Sequence, residues 1–229
     1  MHYLEIILIG IIFLYPIIDL INEKYKSSNK NIEYIKIVFS LWVPTTFLVY
    51  LFCTNNLSVV SFNYIIKANW QNILSLSFIL IAVIYLVILS RTIKINEQLK
   101  SEIAQKFQPF LNLMPVTKSQ MLIFTLLVSV SAGICEELIF RAYLYNLLDT
   151  HIGITGAIFF SSIAFGFWHI YLGWKEVLRT SIMGAIFCGV YIFTGNILIP
   201  IILHIFIDVY SGLICYFSMQ KLDYAAQES

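Results

Sequence analysis

Seven runs of mostly apolar residues constrain this chain more than any other feature of its sequence. A helix needs roughly 20 such residues to cross the hydrocarbon core of a bilayer. Only 12% of the residues are charged, against roughly 25% in soluble domains. The sequence therefore predicts an all-α membrane protein, a polytopic helical bundle. The predicted spans are residues 3–21, 37–54, 72–90, 120–144, 154–172, 177–194 and 197–219.

Lysine and arginine residues alternate between the connections, and this alternation predicts the orientation of the chain. The first, third and fifth connections are basic, the second carries only Lys67, and the fourth and sixth carry none. Cytoplasmic connections are enriched in these residues, so we expect the N-terminus outside and the C-terminus in the cytoplasm. A composition rich in Ile, Asn and Lys is typical of an AT-rich bacterial genome, so we expect the protein in a bacterial plasma membrane. The basic residues of the other connections and of the tail are Lys24, Lys26, Lys30, Lys36, Arg91, Lys94, Lys100, Lys106, Lys118, Lys175, Arg179 and Lys221.

The connections themselves predict two further features. Residues 57–71 are mixed and aromatic, which indicates an interfacial loop with Trp70 as an anchor. Apolar residues recur at near-helical spacing in the long third connection, so we expect an amphipathic helix on the membrane surface there. Pro16 and Pro44 predict kinks in the first two spans. The apolar residues of the amphipathic connection are Ile93, Ile95, Leu99, Ile103 and Phe107.

Ionisable residues interrupt the last four spans, where the membrane interior disfavours them. Each would cost roughly 2.5–3.5 kcal/mol at the bilayer centre if it were charged and unpartnered. A buried ion pair, a packed histidine or a hydrogen bond within one helix would explain each of them singly. Together they are expected to converge on a hydrated cavity. These residues are Glu136, Glu137, Arg141, His169, His204 and Asp208.

Helical spacing separates the two adjacent glutamates. Glu137 and Arg141 are four residues apart, so they share a helix face and can pair. Glu136 points about 100° away from Glu137, which leaves it without an obvious local partner.

The residue types indicate hydrolysis by water. A glutamate with a histidine can act as a general base, and a second histidine with a hydrogen-bonding neighbour can stabilise an oxyanion. A covalent nucleophile is unsupported, because no serine lies in a GxSxG elbow and no cysteine lies next to a histidine. No cofactor is favoured, but Glu136, His169 and His204 could instead bind zinc, although an HExxH motif is absent. Because the net charge is only +1, we expect no nucleic-acid partner. The expected partners are a peptide substrate and the surrounding lipid bilayer.

Three motifs carry a family resemblance. They are EExxxR at residues 136–141, FxxxH at 165–169 and HxxxD at 204–208. In this order on separate spans, they resemble the CPBP family of CAAX proteases and bacteriocin-processing proteins. This family is also called Abi and includes the type II CAAX prenyl endopeptidases. The resemblance covers about residues 113–212.

The resemblance implies an intramembrane protease and a role for each motif residue. Glu136 would activate water with His169, and His204 with Asp208 would hold the oxyanion or orient the substrate carbonyl. Structural support would come from Glu137, Arg141 and Phe165. Residues 113–219 would then be a catalytic core of four spans, preceded by N-terminal spans in 1–112 and followed by a cytoplasmic tail in 220–229.

The sequence departs from the family pattern at two positions. Ala142 stands where many members have glycine, and Asp208 stands where the prenyl endopeptidases have asparagine. Asp208 could stabilise the oxyanion itself, but a carboxylate does this only if it is protonated. Alternatively, Asp208 keeps His204 cationic, and His204 stabilises the oxyanion. We favour the second role as a hypothesis.

Several functions remain compatible with these residues. The first is an endopeptidase acting on a short peptide or on the tail of a membrane protein, in bacteriocin maturation, peptide-signal processing or self-immunity. The second is a non-catalytic regulator or scaffold that binds a membrane partner through the same cavity. The third is a small transporter with a proton relay, which the lack of an internal repeat disfavours.

One expectation conflicts with straight helices. Counting about 1.5 Å per residue from Lys118 puts Glu136 toward the outer side of the membrane, and the same count puts His169 near the cytoplasmic side. A break near Ala132 and Gly133, or a fifth span extending to Trp174, would bring the two residues together.

Overall fold

The computed structural model describes residues 3–25, 27–58 and 63–220, except for the side chains of Asn22 and Ile95. All regular structure in these ranges is helical, which confirms the predicted class. The helices are α1 (Tyr3–Glu23), α2 (Lys30–Cys53), α3 (Trp70–Ile95), α4 (Glu97–Phe107), α5 (Lys118–Phe167), α6 (Trp174–Thr194) and α7 (Leu198–Met219).

Helix α5 supplies two of the seven predicted spans. The six helices other than α4 are long and apolar enough to cross a membrane, and α5 has 50 residues. Gly153 interrupts it with a positive φ of 72°, a conformation that glycine adopts readily. The rings of Phe140 and Trp168 lie 4.8 Å apart, whereas a straight helix would separate them by about 42 Å. Helix α5 therefore consists of two antiparallel arms, residues 118–152 and 154–167.

The third connection contains the expected amphipathic helix, α4. Leu99, Ile103 and Phe107 of α4 pack, half-buried, against a cluster that contains Ile214 of α7. The contact with α7 is a feature that the sequence pattern of α4 alone does not reveal. The position of this helix on the membrane surface stays a prediction.

Pro16 leaves a backbone carbonyl of α1 free to bind the turn that follows α5. Helix α1 continues past Pro16, but proline has no N–H to donate to the carbonyl of Ile12 four residues earlier. The indole Nε1 of Trp168 donates to this carbonyl at 2.9 Å. The ring of Trp168 also stacks on Tyr15 at 4.0 Å. Pro16 thereby helps to fix the turn after α5 against α1.

One apolar cluster joins the N-terminal helices to the later ones. It contains Leu8 and Ile12 of α1, Leu48 of α2, and Ile139 and Phe140 of α5. Helices α1 and α2 therefore pack directly on the region that carries the motifs.

The division of the chain and its orientation stay predictions. Lys26, Lys221 and residues 221–229 of the expected tail lie outside the described residues, as do residues 59–62 of the expected interfacial loop. Trp70, its expected anchor, is the exposed first residue of α3.

We predict that the Trp168 hydrogen bond is coupled to Pro16. Trp168→Phe should lower the melting temperature in detergent, because the buried Ile12 carbonyl loses its donor at a cost of about 1–3 kcal/mol. The loss should be smaller in a Pro16→Ala background, since the new N–H can take over this carbonyl.

Trp42→Phe is the matched control, because Trp42 Nε1 donates to Ser131 Oγ at 3.0 Å, away from Pro16. Equal losses for Trp168→Phe in both backgrounds would contradict the coupling.

Candidate active site

The first arm of α5 presents the two glutamates between two wide π-helical segments. These segments are Phe124–Val128 and Leu138–Tyr145, and the α-helical part between them is Ser129–Glu137. π-helical turns often occur at functional sites. The side-chain amide of Asn146 donates to the carbonyls of Arg141 and Ala142 at 2.9 and 3.0 Å. This donation satisfies carbonyl groups in the second wide segment.

Gly133 brings α7 close to the glutamates. A Cβ at this position would lie 3.0 Å from the backbone nitrogen of Ile205 and 3.2 Å from the carbonyl oxygen of Ile201. Any larger side chain would push α7 away from α5. The expected break at Ala132 and Gly133 is absent, because both residues lie within a continuous helical segment. Gly133 instead permits a close approach of the two helices.

Glu137 and Arg141 form the expected pair, and it is fully buried. Arg141 Nη1 donates to Glu137 Oε1 at 2.9 Å. Arg141 Nη2 donates to the carbonyl of Gly184 at 2.9 Å, which ties α5 to α6. The guanidinium carbon lies 4.4 Å from the centre of the Phe165 ring, a distance that allows a cation–π interaction. Phe165 thus contacts Arg141 through its ring, and it lies four residues before His169 in the same motif.

His204 is held by the same carboxylate, which the sequence analysis missed. Its Nδ1 lies 2.8 Å from Glu137 Oε1, and its ring stacks on Phe187 at 4.9 Å. Its Nε2 lies 4.0 Å from Glu136 Oε2 and 3.8 Å from Asp208 Oδ2. These two distances exceed those of direct hydrogen bonds. Glu137 therefore orients His204, and Nε2 is left facing the two other carboxylates.

Glu136 is buried without a hydrogen-bond partner. Its side chain is 6% exposed, and Oε2 has no donor among the described residues. Glu137 Oε2 is also unpartnered, but Glu137 Oε1 takes part in two hydrogen bonds. Buried carboxylates are normally hydrogen-bonded because an unpaired one is costly. A group left this way is suited to accept a proton from a bound molecule.

His169 lies in a turn just beyond the end of α5. The ring Nδ1 is 3.2 Å from the carbonyl oxygen of Phe165. A hydrogen bond at this position requires the proton on Nδ1, which leaves the lone pair on Nε2. The second arm of α5, residues 154–167, is about 21 Å long and thus shorter than the roughly 30 Å hydrocarbon core. We infer that the turn is recessed, which is tolerated where irregular backbone lines a cavity.

The recessed turn resolves the expected difference in depth. Glu136 lies 17 residues before Gly153, and His169 lies 16 residues after it. Antiparallel arms therefore bring the two residues to about the same level. The first arm also continues to residue 152, beyond the predicted end of the span at Leu144, so Glu136 lies near its middle rather than near its end.

A cavity of about 750 Å³ brings the four expected catalytic residues together. Glu136, His169, His204 and Asp208 all line it. Its wall also includes residues of α1 and α2 that the sequence analysis did not assign to the site. The signal that could have identified the α1 residues is their spacing of four. The α1 residues are Tyr15, Asp19 and Glu23, and the α2 residues include Tyr34, Phe39 and Ser40.

The arrangement gives no specific support to a metal centre. Within the described ranges, no group of three or more His, Cys, Asp or Glu side chains could hold a metal ion. Glu136 Oε2 and His204 Nε2 are 4.0 Å apart, wider than the roughly 3.3 Å between ligands of a tetrahedral zinc ion with bonds of about 2.0 Å. We therefore derive no step through a metal.

The fold and the cavity define a polytopic membrane protein with a buried glutamate and histidine cluster. Residues 118–210 match the family described as type II CAAX prenyl endopeptidase Rce1-like. This region is thus similar to the CAAX-protease family that the motifs resemble. The match supports an intramembrane protease in general, acting on a peptide or protein substrate in a membrane. No curated protein matches the chain, and no solved structure matches it.

The adjacent glutamates should respond oppositely to the same substitution. Glu137→Gln leaves the buried charge of Arg141 without its partner, so we expect a stability loss of about 3–5 kcal/mol. Glu136→Gln removes no hydrogen bond, so the melting temperature should stay the same or rise. Thermal unfolding of both purified variants in one detergent measures the difference, and similar losses for both would contradict these assignments.

Proposed function

We propose that the chain is an endopeptidase that hydrolyses a peptide bond within the membrane, using water activated by Glu136 and His169. The observation that carries this proposal is the buried carboxylate of Glu136. Its Oε2 has no hydrogen-bond partner among the described residues, yet it faces a cavity lined by both histidines. A bound water molecule would supply the missing hydrogen bond.

The reaction proceeds by direct addition of water. Glu136 takes a proton from the water, with His169 Nε2 accepting its second hydrogen bond. The resulting hydroxide adds to the carbonyl carbon of the substrate. When the tetrahedral intermediate collapses, the carbon–nitrogen bond breaks and Glu136 returns the proton to the leaving amine. General acid–base catalysis of this kind contributes about 10²–10⁴-fold to the rate.

His204 stabilises the oxyanion. Glu137 fixes the ring through Nδ1, so Nε2–H is directed toward the cavity. Asp208, at 3.8 Å from Nε2, favours the charged form of the ring by a coulombic interaction. A positioned donor of this type is worth about 10²–10³-fold in rate.

The mouth of the cavity indicates the side of entry. We infer that it lies among the lining residues at the end of α1, at the start of α2 and in the segment that contains Leu113 and Met114. Lys30 Nζ donates to the carbonyl of Met114 at 3.0 Å, so the basic first and third connections meet at this end. By the positive-inside rule this end is cytoplasmic. The substrate would be a short peptide or a membrane-protein tail in a bacterial plasma membrane, as in bacteriocin maturation, signal-peptide processing or self-immunity.

Glu136→Gln and His169→Ala should each abolish cleavage while the protein remains folded. We expect a loss of at least about 10²-fold in kcat/KM for either variant, because each removes one of the two groups that bind the attacking water. Hydrolysis of quenched fluorescent peptides by purified protein in lipid bicelles measures this.

Gln98→Ala, on the exposed surface of α4 and outside the cavity wall, serves as a folded control. Full activity in both variants would exclude this mechanism. A phenotype that survives both substitutions in cells would favour a non-catalytic regulator. Loss of wild-type cleavage after dialysis against a chelator, restored by zinc, would favour the metal-assisted alternative.

Asp208→Asn tests the role of the third carboxylate. If Asp208 keeps His204 cationic, its loss removes a neighbouring negative charge, and the imidazolium gives up its proton at lower pH. We therefore expect lower activity, on the order of tenfold, and an alkaline limb of the pH–rate profile that moves to lower pH. An unchanged rate and pH profile would contradict this role.

A further inference from the structure

Helix α1 contributes a line of polar side chains to the cavity. Tyr15, Asp19 and Glu23 are spaced four residues apart, so they share one helix face, and all three line the cavity. Two contacts of Tyr15 fix this face. Its hydroxyl is hydrogen-bonded to Ser40 Oγ at 2.9 Å, and its ring stacks on Trp168 at 4.0 Å. Asp19 is thereby directed into the same space as the catalytic cluster.

The charge of Asp19 is not neutralised by the wall around it. Asp19 is half-buried, and no hydrogen bond or ion pair joins it to another described residue. In the described part of the wall the one lysine is Lys36, and its Nζ pairs with Glu33 at 2.8 Å. The carboxylates of the wall thus outnumber its cations. A second carboxylate without a hydrogen bond, that of the buried Glu136, faces the same cavity.

Much of the rest of the wall is apolar. Clefts with one sign of charge and walls of low dielectric constant concentrate ligands of the opposite charge. A cationic group on an apolar chain could bind the carboxylates of this cavity with its charge and pack against the apolar wall with its chain. Lysine and arginine side chains have this form, with an aliphatic stem and a charged end. The apolar residues include Ile32, Ile35, Phe39, Leu41, Phe124 and Val128.

We propose that Asp19 is a specificity-determining residue that binds a lysine or arginine side chain of the substrate. This inference rests on the proposed hydrolysis and specifies its substrate as a peptide with a basic residue beside an apolar segment. Asp19 lies one helical turn, about 6 Å, beyond Tyr15, which packs against the turn of His169. An extended peptide advances about 3.3 Å per residue, so the basic residue lies about two residues from the scissile bond.

The test uses pools of quenched fluorescent peptides and the full chain in lipid bicelles. Each pool fixes one position as lysine, arginine, norleucine or glutamate. We expect the wild type to cleave the best lysine and arginine pools on the order of tenfold faster than the norleucine pool. Asp19→Asn should abolish this preference by raising KM for the basic pools alone. Asp19→Lys should reverse the preference toward glutamate.

Glu102→Gln is the matched control, because it removes one negative charge from the exposed surface of α4. It should keep the full preference, whereas a merely structural role for Asp19 would change the rates of all pools equally. A lysine-to-norleucine ratio that is the same in wild type and Asp19→Asn would overturn the inference.

The failure of the proposed hydrolysis has a different signature. In that case the wild type would cleave no pool faster than Glu136→Gln does. Fluorescence anisotropy then measures the binding of labelled lysine and norleucine pools to the wild type and to Asp19→Asn. Preferential binding of the lysine pool that depends on Asp19 supports the basic-residue site, and equal binding overturns it.

Discussion

The site depends on one buried oxygen atom, Oε1 of Glu137, which is bonded to Arg141 of α5 and to His204 of α7. Arg141 in turn is bonded to the Gly184 carbonyl of α6. Three helices are therefore joined through charged groups with almost no access to water. Burying an ion pair seldom adds much stability, whereas removing one partner is costly. The cluster thus fixes the relative position of these helices, and with it the direction of His204 Nε2.

The adjacent glutamates have different environments because successive side chains on a helix point about 100° apart. Glu137 points into the packed contact between helices, where its charge is compensated. Glu136 points into the cavity, where no described residue bonds it. A carboxylate kept in this condition lowers stability, a cost that active-site groups often carry. The order of the pair in the sequence thus determines which glutamate is bonded in the core and which faces the cavity.

The sequence predicted what depends on composition and on local spacing. Hydropathy identified the spans, and the spacing of four identified the pair of Glu137 and Arg141. The bond between Glu137 and His204 joins residues 67 positions apart, and no periodicity encodes such a contact. The packing of α4 on α7 and the register of the two arms of α5 likewise depend on tertiary contacts. The position of Asp19 in the cavity wall was missed for the same reason, since the sequence does not show that this face of α1 meets the cavity.

Helix α1 belongs to the site although the family match begins at residue 118. Its Pro16 frees the Ile12 carbonyl that holds Trp168, and Trp168 precedes His169 directly. The same helix directs Tyr15 and Asp19 into the cavity. The matched region therefore holds all four proposed catalytic residues, while the helix outside it fixes the turn of His169 and forms part of the cavity wall. Under the proposed mechanism, a change in α1 alters which peptide is accepted without altering the groups that activate water.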